Sequence, residues 1–219
     1  MVELITGLRP ENVRENLERV RSEIAGTGRV PGEVQILAAV KYLPADELPA
    51  LADGGITVVG ENRAQELLAK AQALPGRFTW DFIGQLQSRK VRDLVGHVRY
   101  IHSVASESAL AQLGRHGDAG TRVLIEVNVA GEAGKSGIAP ADLPGYLERC
   151  PVPVVGLMTM PPLAAAPEDN RPHFAALARL AARHGLPQLS MGTSQDYTVA
   201  VQEGATIVRL GSTLYAGAP

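Results

Sequence analysis

The feature that most constrains the fold of this chain is a regular alternation of short apolar runs with longer helical stretches. Each run is rich in β-branched or aliphatic residues and is followed by a Gly, Pro, Asn or Ser turn signal. The runs are spaced by the length of one strand, one crossover helix and two short loops. The eight predicted strands are Val34–Val40, Ile56–Val59, Phe78–Ile83, Val98–His102, Arg122–Val129, Val152–Met158, Pro187–Ser190 and Thr206–Leu210.

Alternation of this kind is typical of a parallel sheet, because each parallel strand needs a long crossover connection. Eight βα units favour a closed barrel over an open doubly wound sheet. We therefore predict an α/β protein, a single (β/α)8 TIM barrel that forms one domain over residues 1–219. An additional N-terminal helix is expected from Pro10 to Gly26, and a later helix from Glu168 to His184. The apolar residues of the N-terminal helix recur at helical spacing: Val13, Leu17, Val20 and Ile24.

Composition excludes several classes of function. The chain carries 21 Lys and Arg against 23 Asp and Glu, and its net charge of −2 gives no overall positive field for nucleic acid or an anionic membrane. Its single cysteine, Cys150, excludes an internal disulfide and a cysteine-based zinc site. The five histidines form no His-x-x-x-His pair, so we expect no metal site. The N-terminus lacks a secretory signal, and we expect a cytoplasmic protein without membrane contact.

Lys41 is the first candidate for chemistry, because it directly follows the apolar run Ile36–Val40. In a barrel, the residues at the carboxyl ends of the strands build the active site. A lysine at the end of so apolar a strand is expected to be partly desolvated, which favours the neutral, nucleophilic amine. The alternative is a lysine whose side chain reaches past the strand to solvent.

Small and hydroxylated residues follow the seventh and eighth strands. Ser194 comes after the seventh strand, and Gly211 and Ser212 follow the eighth. Barrels commonly hold a phosphate between these two loops, with backbone amides and hydroxyls as donors. The alternatives are that Ser194 is only the N-cap of the next helix and that Gly211 only permits a turn.

Three further polar residues lie in or just after predicted strands. Arg209 lies inside the eighth strand, where its guanidinium needs an acceptor, either at the barrel mouth or in a structural salt bridge. Asn62 follows the second strand and is either a ligand contact or the cap of the next helix. His102 ends the fourth strand, where we expect its ring to be satisfied by structural hydrogen bonds.

Seven sequence blocks in this order resemble the pyridoxal-phosphate homeostasis family, small barrel proteins similar to the barrel domain of alanine racemase. The resemblance runs from about Val34 to Leu214. The blocks are ILAAVKYLP, VVGENRAQELLAK, WDFIGQLQSRK, IHSVAS, VLIEVNVAGEAGKSGI, GLMTM and LSMGTSQDYTVAVQEGATIVRLGS.

The resemblance implies a role for each candidate residue toward pyridoxal 5′-phosphate (PLP). Lys41 would form the Schiff base, Arg209 would face the pyridine nitrogen and Asn62 would lie near the cofactor. Ser194, Gly211 and Ser212 would hold the phosphate. Lys135 matches a lysine thought to assist cofactor transfer. The sequence departs from the family at several positions, which leave Schiff-base formation in place: Val40, Asp81 for a usual His, Arg89, Thr193 and Ser212.

The resemblance implies a PLP carrier that buffers the free aldehyde and delivers it to PLP-dependent apo-enzymes, as a monomer or weak dimer. Racemases that share this barrel take their opposite-face base from a second, β-rich domain, and the sequence ends at Pro219. This favours storage over catalysis. Two alternatives stay open: an amino-acid racemase or lyase, and a barrel enzyme that binds a phosphorylated metabolite without covalent attachment.

Overall fold

The computed structural model describes residues 4–163, 165–215 and 217. Eight parallel strands pair in chain order, and the last pairs with the first to close a barrel. The strands are β1 (Gln35–Ala39), β2 (Val58–Glu61), β3 (Thr79–Phe82), β4 (Tyr100–Val104), β5 (Val123–Glu126), β6 (Val154–Met158), β7 (Gln188–Thr193) and β8 (Ile207–Leu210). The predicted (β/α)8 barrel is confirmed, and each predicted strand overlaps an observed one.

The helices form the outer layer of the barrel. They are α1 (Pro10–Gly26), α2 (Leu48–Asp53), α3 (Ala64–Ala73), α4 (Val91–Leu94), α5 (Glu107–His116), α6 (Leu143–Arg149), α7 (Arg171–Arg183), α8 (Tyr197–Gln202) and α9 (Ser212–Tyr215). Short 3-10 turns precede several of them. No helix within the described residues combines the length and apolar character needed to cross a membrane.

The N-terminal helix α1 has the predicted bounds. Pro10 stands at its first position, where the missing N–H costs no hydrogen bond. Its apolar stripe is buried against α2, α8 and α9, and full burial of such a side chain contributes about 1.5–3 kcal/mol. The buried residues of the stripe are Val13, Leu17, Val20 and Ile24.

The barrel interior has an apolar part and a polar part. Leu37, Val58 and Ile207 form an apolar cluster that is separate from the main core between strands and helices. Alternate strand residues point to the same face, so Arg209 shares the inner face with Ile207 two residues before it. The interior therefore carries a charged side chain beside a small apolar layer, close to the carboxyl ends of the strands.

Candidate functional site

A cavity of about 430 Å³ opens at the carboxyl ends of the strands. This volume is within the range usual for small-molecule sites. Residues from the ends of β1, β2, β7 and β8 meet in its wall, although they are far apart in the sequence. All six predicted binding residues line it: Lys41, Asn62, Ser194, Arg209, Gly211 and Ser212.

A larger cavity of about 600 Å³ lies at the opposite end of the barrel, under α1. Arg21, Gln35, Arg99 and Gln188 are among its lining residues. Barrel enzymes build their active sites at the carboxyl ends of the strands. We therefore place the candidate functional site in the smaller cavity, despite the greater volume of the other one.

Lys41 lies in the turn after β1, and its side chain is exposed. Its Nζ is 4.8 Å from the centroid of the Tyr42 ring. The expectation of a desolvated amine is wrong for this structure, because β1 ends at Ala39 and the chain has left the barrel wall by Lys41. Lys41 lines the cavity, and its side chain remains open to water.

The backbone that leads into Lys41 is held by two buried side chains. Tyr215 donates its hydroxyl to the Ala39 carbonyl at 3.0 Å. Lys70 donates from Nζ to the Val40 carbonyl at 2.9 Å. These contacts fix the point at which the chain leaves β1 just before Lys41. The sequence alone predicts neither contact.

Lys70 also forms a buried ion pair with Glu61. The Nζ of Lys70 and Oε2 of Glu61 are 2.5 Å apart, and the side chains are 6% and 1% exposed. The other Glu61 oxygen accepts the Asn62 amide at 2.7 Å. One ion pair therefore ties the backbone before Lys41 to the backbone of Asn62.

Asn62 is exposed at the cavity edge and is not the helix cap. The N-cap position of α3 is occupied by Arg63, which makes no side-chain capping bond. The backbone of Asn62 packs tightly on Gly84, where an added Cβ would lie 2.1 Å from the Asn62 carbonyl oxygen. Gly84 thus has no room for any side chain, and this contact helps to place Asn62.

Ser194 links the loops after β7 and β8. Its Oγ accepts the Gly211 amide at 3.1 Å and the Thr213 amide at 3.3 Å. The alternative that Ser194 is only the N-cap of the next helix is wrong, because α8 begins after Asp196, whose Oδ1 accepts the Thr193 amide at 2.7 Å. Small polar groups converge between β7 and β8, while an acidic side chain stands before α8.

Gly211 and Ser212 lie at the start of α9, beside the Ser194 hydroxyl. The backbone of Gly211 does not require glycine, because its φ is not positive, and an added Cβ would lie no closer than 3.8 Å to its nearest neighbour, the Ala39 carbonyl oxygen. The alternative that Gly211 only permits a turn is therefore not supported. Its small size leaves open space beside the cavity.

Arg209 is 6% exposed, and its two terminal nitrogens are held by uncharged acceptors. Nη1 donates to the Ser190 carbonyl at 2.7 Å and to its Oγ at 2.6 Å. Nη2 donates to the Thr159 carbonyl at 2.9 Å and contacts Met160 Sδ at 2.8 Å. In the part of the chain that the structure describes, none of these bonds goes to a carboxylate. The alternative of a structural salt bridge is therefore wrong.

The charge state of Arg209 follows from its surroundings. Burial lowers the pKa of Arg209 to about 10, against the opposing field of Glu126 and Asp196. The guanidinium therefore keeps its proton at neutral pH. The Nε atom of Arg209 has no hydrogen-bond partner among the described residues, and Arg209 lines the cavity.

His102 is fully buried, and both ring nitrogens are hydrogen-bonded, as predicted. Nδ1 lies 2.9 Å from Ser190 Oγ, and Nε2 lies 3.1 Å from Asp81 Oδ2. Burial lowers the pKa of His102, so the ring is neutral near pH 7. Burial alone would raise the pKa of Asp81, but hydrogen bonds from His102 and Arg99 outweigh it and lower that pKa.

The loop after β5 keeps Lys135 away from the cavity wall. Lys135 forms an ion pair with Glu132 three residues before it, and it does not line the cavity. Ser136 of this loop donates to Glu126 at 2.8 Å, and burial raises the pKa of the Glu126 carboxyl. The structure therefore brings six predicted residues together but leaves Lys135 outside.

Among the described side chains, no group of three or more His, Cys, Asp or Glu could hold a metal.

Comparison with protein families finds a match over nearly the whole chain. The family model described as alanine racemase, N-terminal domain, matches residues 8–219. A protein of Aquifex aeolicus named pyridoxal phosphate homeostasis protein is 39% identical over 219 residues, covering 94% of this chain and 96% of that protein.

Solved structures share the fold. A structure described as an unknown protein from Bifidobacterium adolescentis is 31% identical with a TM-score of 0.86, and 98% of each chain is covered. PipY of Synechococcus elongatus, solved with PLP bound, is 32% identical with a TM-score of 0.78, covering 93% of this chain and 100% of PipY. The similarity therefore extends over both the sequence and the whole barrel.

Proposed function

Because this chain belongs to the family of pyridoxal phosphate homeostasis proteins, built on the alanine racemase N-terminal domain, we propose that it binds PLP covalently and reversibly through Lys41. Its function would be to buffer PLP and to deliver it within the cell. The observation that carries this proposal is the convergence of Lys41, Ser194 and Arg209 in one cavity.

The chemistry of the cavity wall fits PLP. When bound, PLP supplies an aldehyde that reacts with primary amines and a ring that withdraws electrons. Lys41 offers an accessible amine for covalent attachment. Ser194, Gly211 and Ser212 offer two hydroxyls and small side chains beside the first turn of α9, where a phosphate can be held. Asn62 would contact the cofactor from the β2 side.

Arg209 favours storage over amino-acid chemistry. A guanidinium only donates hydrogen bonds and is always charged here, so it would leave the ring nitrogen of PLP without a proton. A carboxylate at this position would instead keep that nitrogen protonated and strengthen the ring as an electron acceptor. Arg209 therefore supports a carrier whose bound cofactor is weakly activated.

The exposure of Lys41 supports reversible binding. Water and acceptor amines can reach its nitrogen without rearrangement of the barrel wall. We propose that PLP-dependent apo-enzymes receive the cofactor from this site and that the protein acts in the cytoplasm as a monomer or weak dimer. Reactivation of an apo-enzyme by the loaded protein tests delivery, light scattering tests assembly, and cell fractionation tests location.

Covalent attachment is tested by titrating the protein with PLP, recording the visible absorption band, and mapping the borohydride-reduced product by peptide mass spectrometry. We expect the label on Lys41 and its loss in Lys41→Ala. The matched control is Lys90→Ala, because Lys90 pairs with Asp93 outside the cavity. A reduced label on another lysine, or a label retained elsewhere in Lys41→Ala, would contradict the proposal.

A further inference from the structure

A continuous chain of side-chain hydrogen bonds runs through the barrel interior, from the cavity under α1 to the candidate site. It begins at Arg99, which is 27% exposed and lines the cavity under α1. Arg99 donates to Asp81 from Nε at 3.0 Å and from Nη2 at 2.6 Å. Further hydrogen bonds join Asp81 to His102, His102 to Ser190, and Ser190 to Arg209. The middle three members, Asp81, His102 and Ser190, are buried.

The chemistry of the two ends sets the direction of these hydrogen bonds. Arg209 can only donate, so Ser190 Oγ accepts from it. Asp81 can only accept while it is ionised, so His102 Nε2 must carry a proton. A neutral ring has one N–H, and Nδ1 is then left as an acceptor for the Ser190 hydroxyl proton. From Arg209 to Asp81, every donor points toward the carboxylate.

The opposite tautomer of His102 would break this order. A proton on Nδ1 would leave the Nε2 lone pair facing the Asp81 carboxylate at 3.1 Å in a buried site. The Ser190 hydroxyl would meet two donors and would need another acceptor for its own proton. Unpaired buried polar groups are costly. The charge of Asp81 therefore selects the tautomer that turns the Ser190 lone pairs toward Arg209.

Asp81 is itself held from the far end of the barrel. Besides the two bonds from Arg99, its Oδ1 accepts the Tyr100 amide at 3.2 Å. The Arg99 guanidinium also stacks over the Tyr100 ring, 4.4 Å from its centroid. These contacts keep the carboxylate in place and ionised.

We propose that Asp81, held by Arg99, is a positioning residue for Arg209 and sets the orientation of that guanidinium toward the cofactor ring through His102 and Ser190. The proposal rests on the proposed function, in which Arg209 faces that ring. It assigns a role to the position where this sequence has Asp instead of the usual His. It also connects the barrel end under α1 to the cofactor site.

The first experiment needs no cofactor. Long-range ¹H–¹⁵N NMR of histidine-labelled protein distinguishes the two ring tautomers, and a His102→Gln variant identifies the His102 signals. We expect the Nε2–H tautomer in the unsubstituted protein and a shift toward Nδ1–H in Asp81→Asn. The control is Asp93→Asn, which removes a carboxylate outside the barrel and should leave the His102 signals unchanged.

The second experiment tests the effect on the cofactor. Losing one oriented hydrogen bond should weaken PLP binding about three- to tenfold in Asp81→Asn and shift the visible band of the bound cofactor. Ser190→Ala should have a similar effect. Because both act through one chain, the double variant should bind PLP no more weakly than Ser190→Ala.

The outcomes separate the two proposals. An Nδ1–H tautomer in the unsubstituted protein, an unchanged tautomer in Asp81→Asn, or additive losses in the double variant would each overturn the role of Asp81. Absence of a visible band in the unsubstituted protein would overturn the proposed function instead, while the NMR result would still stand. If Asp81→Asn fails to fold, the tautomer of the unsubstituted protein decides.

Discussion

Lys70 and Glu61 help to position the backbone at Lys41 and Asn62, although neither of them lines the cavity. Lys70→Met should lower the free energy of unfolding by about 3–5 kcal/mol, because it leaves the buried Glu61 carboxylate without its partner. Urea unfolding measures the change. The control is Arg77→Ala, which breaks an exposed ion pair with Asp53 and should cost less than about 1 kcal/mol. Equal losses for the two variants would contradict the structural role of the buried pair.

Buried His102 should make the protein sensitive to mild acid. Burial lowers the pKa of His102, so below about pH 6.5 its ring takes up a proton in the unfolded chain before it does so in the folded state. Stability should therefore fall with decreasing pH by up to about 1.4 kcal/mol per pH unit from this group. Asp81, whose pKa is also lowered, loses its contribution only in stronger acid, below its ordinary pKa of 3.8.

Urea unfolding between pH 7 and 5 checks this slope. His102→Gln should show a flatter dependence, while the exposed His116→Gln should keep the original one. Glu126, whose pKa is raised by burial, contributes a slope of opposite sign, but it is common to all three proteins and cancels in the comparison. Parallel curves for the unsubstituted protein and His102→Gln would show that the prediction is wrong.

At the scale of elements, the close approach of two strand ends limits what the cavity rim tolerates. Gly84 follows β3, and an added Cβ would lie 2.1 Å from the Asn62 backbone after β2. Gly84→Ala should lower the free energy of unfolding by about 1–3 kcal/mol, because backbone must move to admit the methyl group. Gly211→Ala, with its nearest neighbour at 3.8 Å, should change it by less than about 0.5 kcal/mol.

Thermal or urea unfolding of the two glycine variants checks this difference. Both glycines line the same cavity, but Gly84 is buried whereas Gly211 is half-buried. A small loss in Gly84→Ala would mean that the β2 and β3 ends separate easily. PLP affinity, measured alongside, should fall in Gly84→Ala as Asn62 is displaced.

The order and type of the elements could be predicted because each depends on a local pattern. The period of α1, with Pro10 at its start, defines that helix without tertiary information. Element boundaries depend less on the local pattern where strand pairing decides them. The strand predicted over Ile56–Val59 is observed two residues later, as β2 (Val58–Glu61), because its pairing with β3 begins at Val58 opposite Thr79. The helix predicted from Glu168 begins as a 3-10 turn, and α7 starts at Arg171.

The site was predicted in part. Residues at strand ends could be named because a barrel brings all those ends to one rim. The contacts that hold them could not, since Tyr215 reaches Ala39 across 176 positions and Arg209 reaches Thr159 across 50. Such contacts leave no local pattern in the sequence. The exposure of Lys41 also depends on where β1 ends, and an apolar run alone does not fix that point.

For the molecule as a whole, the site geometry predicts little amino-acid turnover. Exchange of the Cα proton of L-alanine for deuterium, followed by NMR, should be no faster with the PLP-loaded protein than with the same concentration of free PLP. Arg209 holds its own proton and, under the proposed function, would offer the ring only a hydrogen bond. Exchange well above the rate with free PLP would favour the racemase or lyase alternative.

The polar chain through the barrel also has a consequence for how a ligand is received. The Arg209 guanidinium is already immobilised by three oxygen acceptors and one sulfur before a ligand enters the cavity. Few rotamers of this long side chain remain to be frozen on binding, so little conformational entropy is lost there. The position of the Arg209 guanidinium is therefore set during folding, and the cavity wall is preorganised for a ligand at this point.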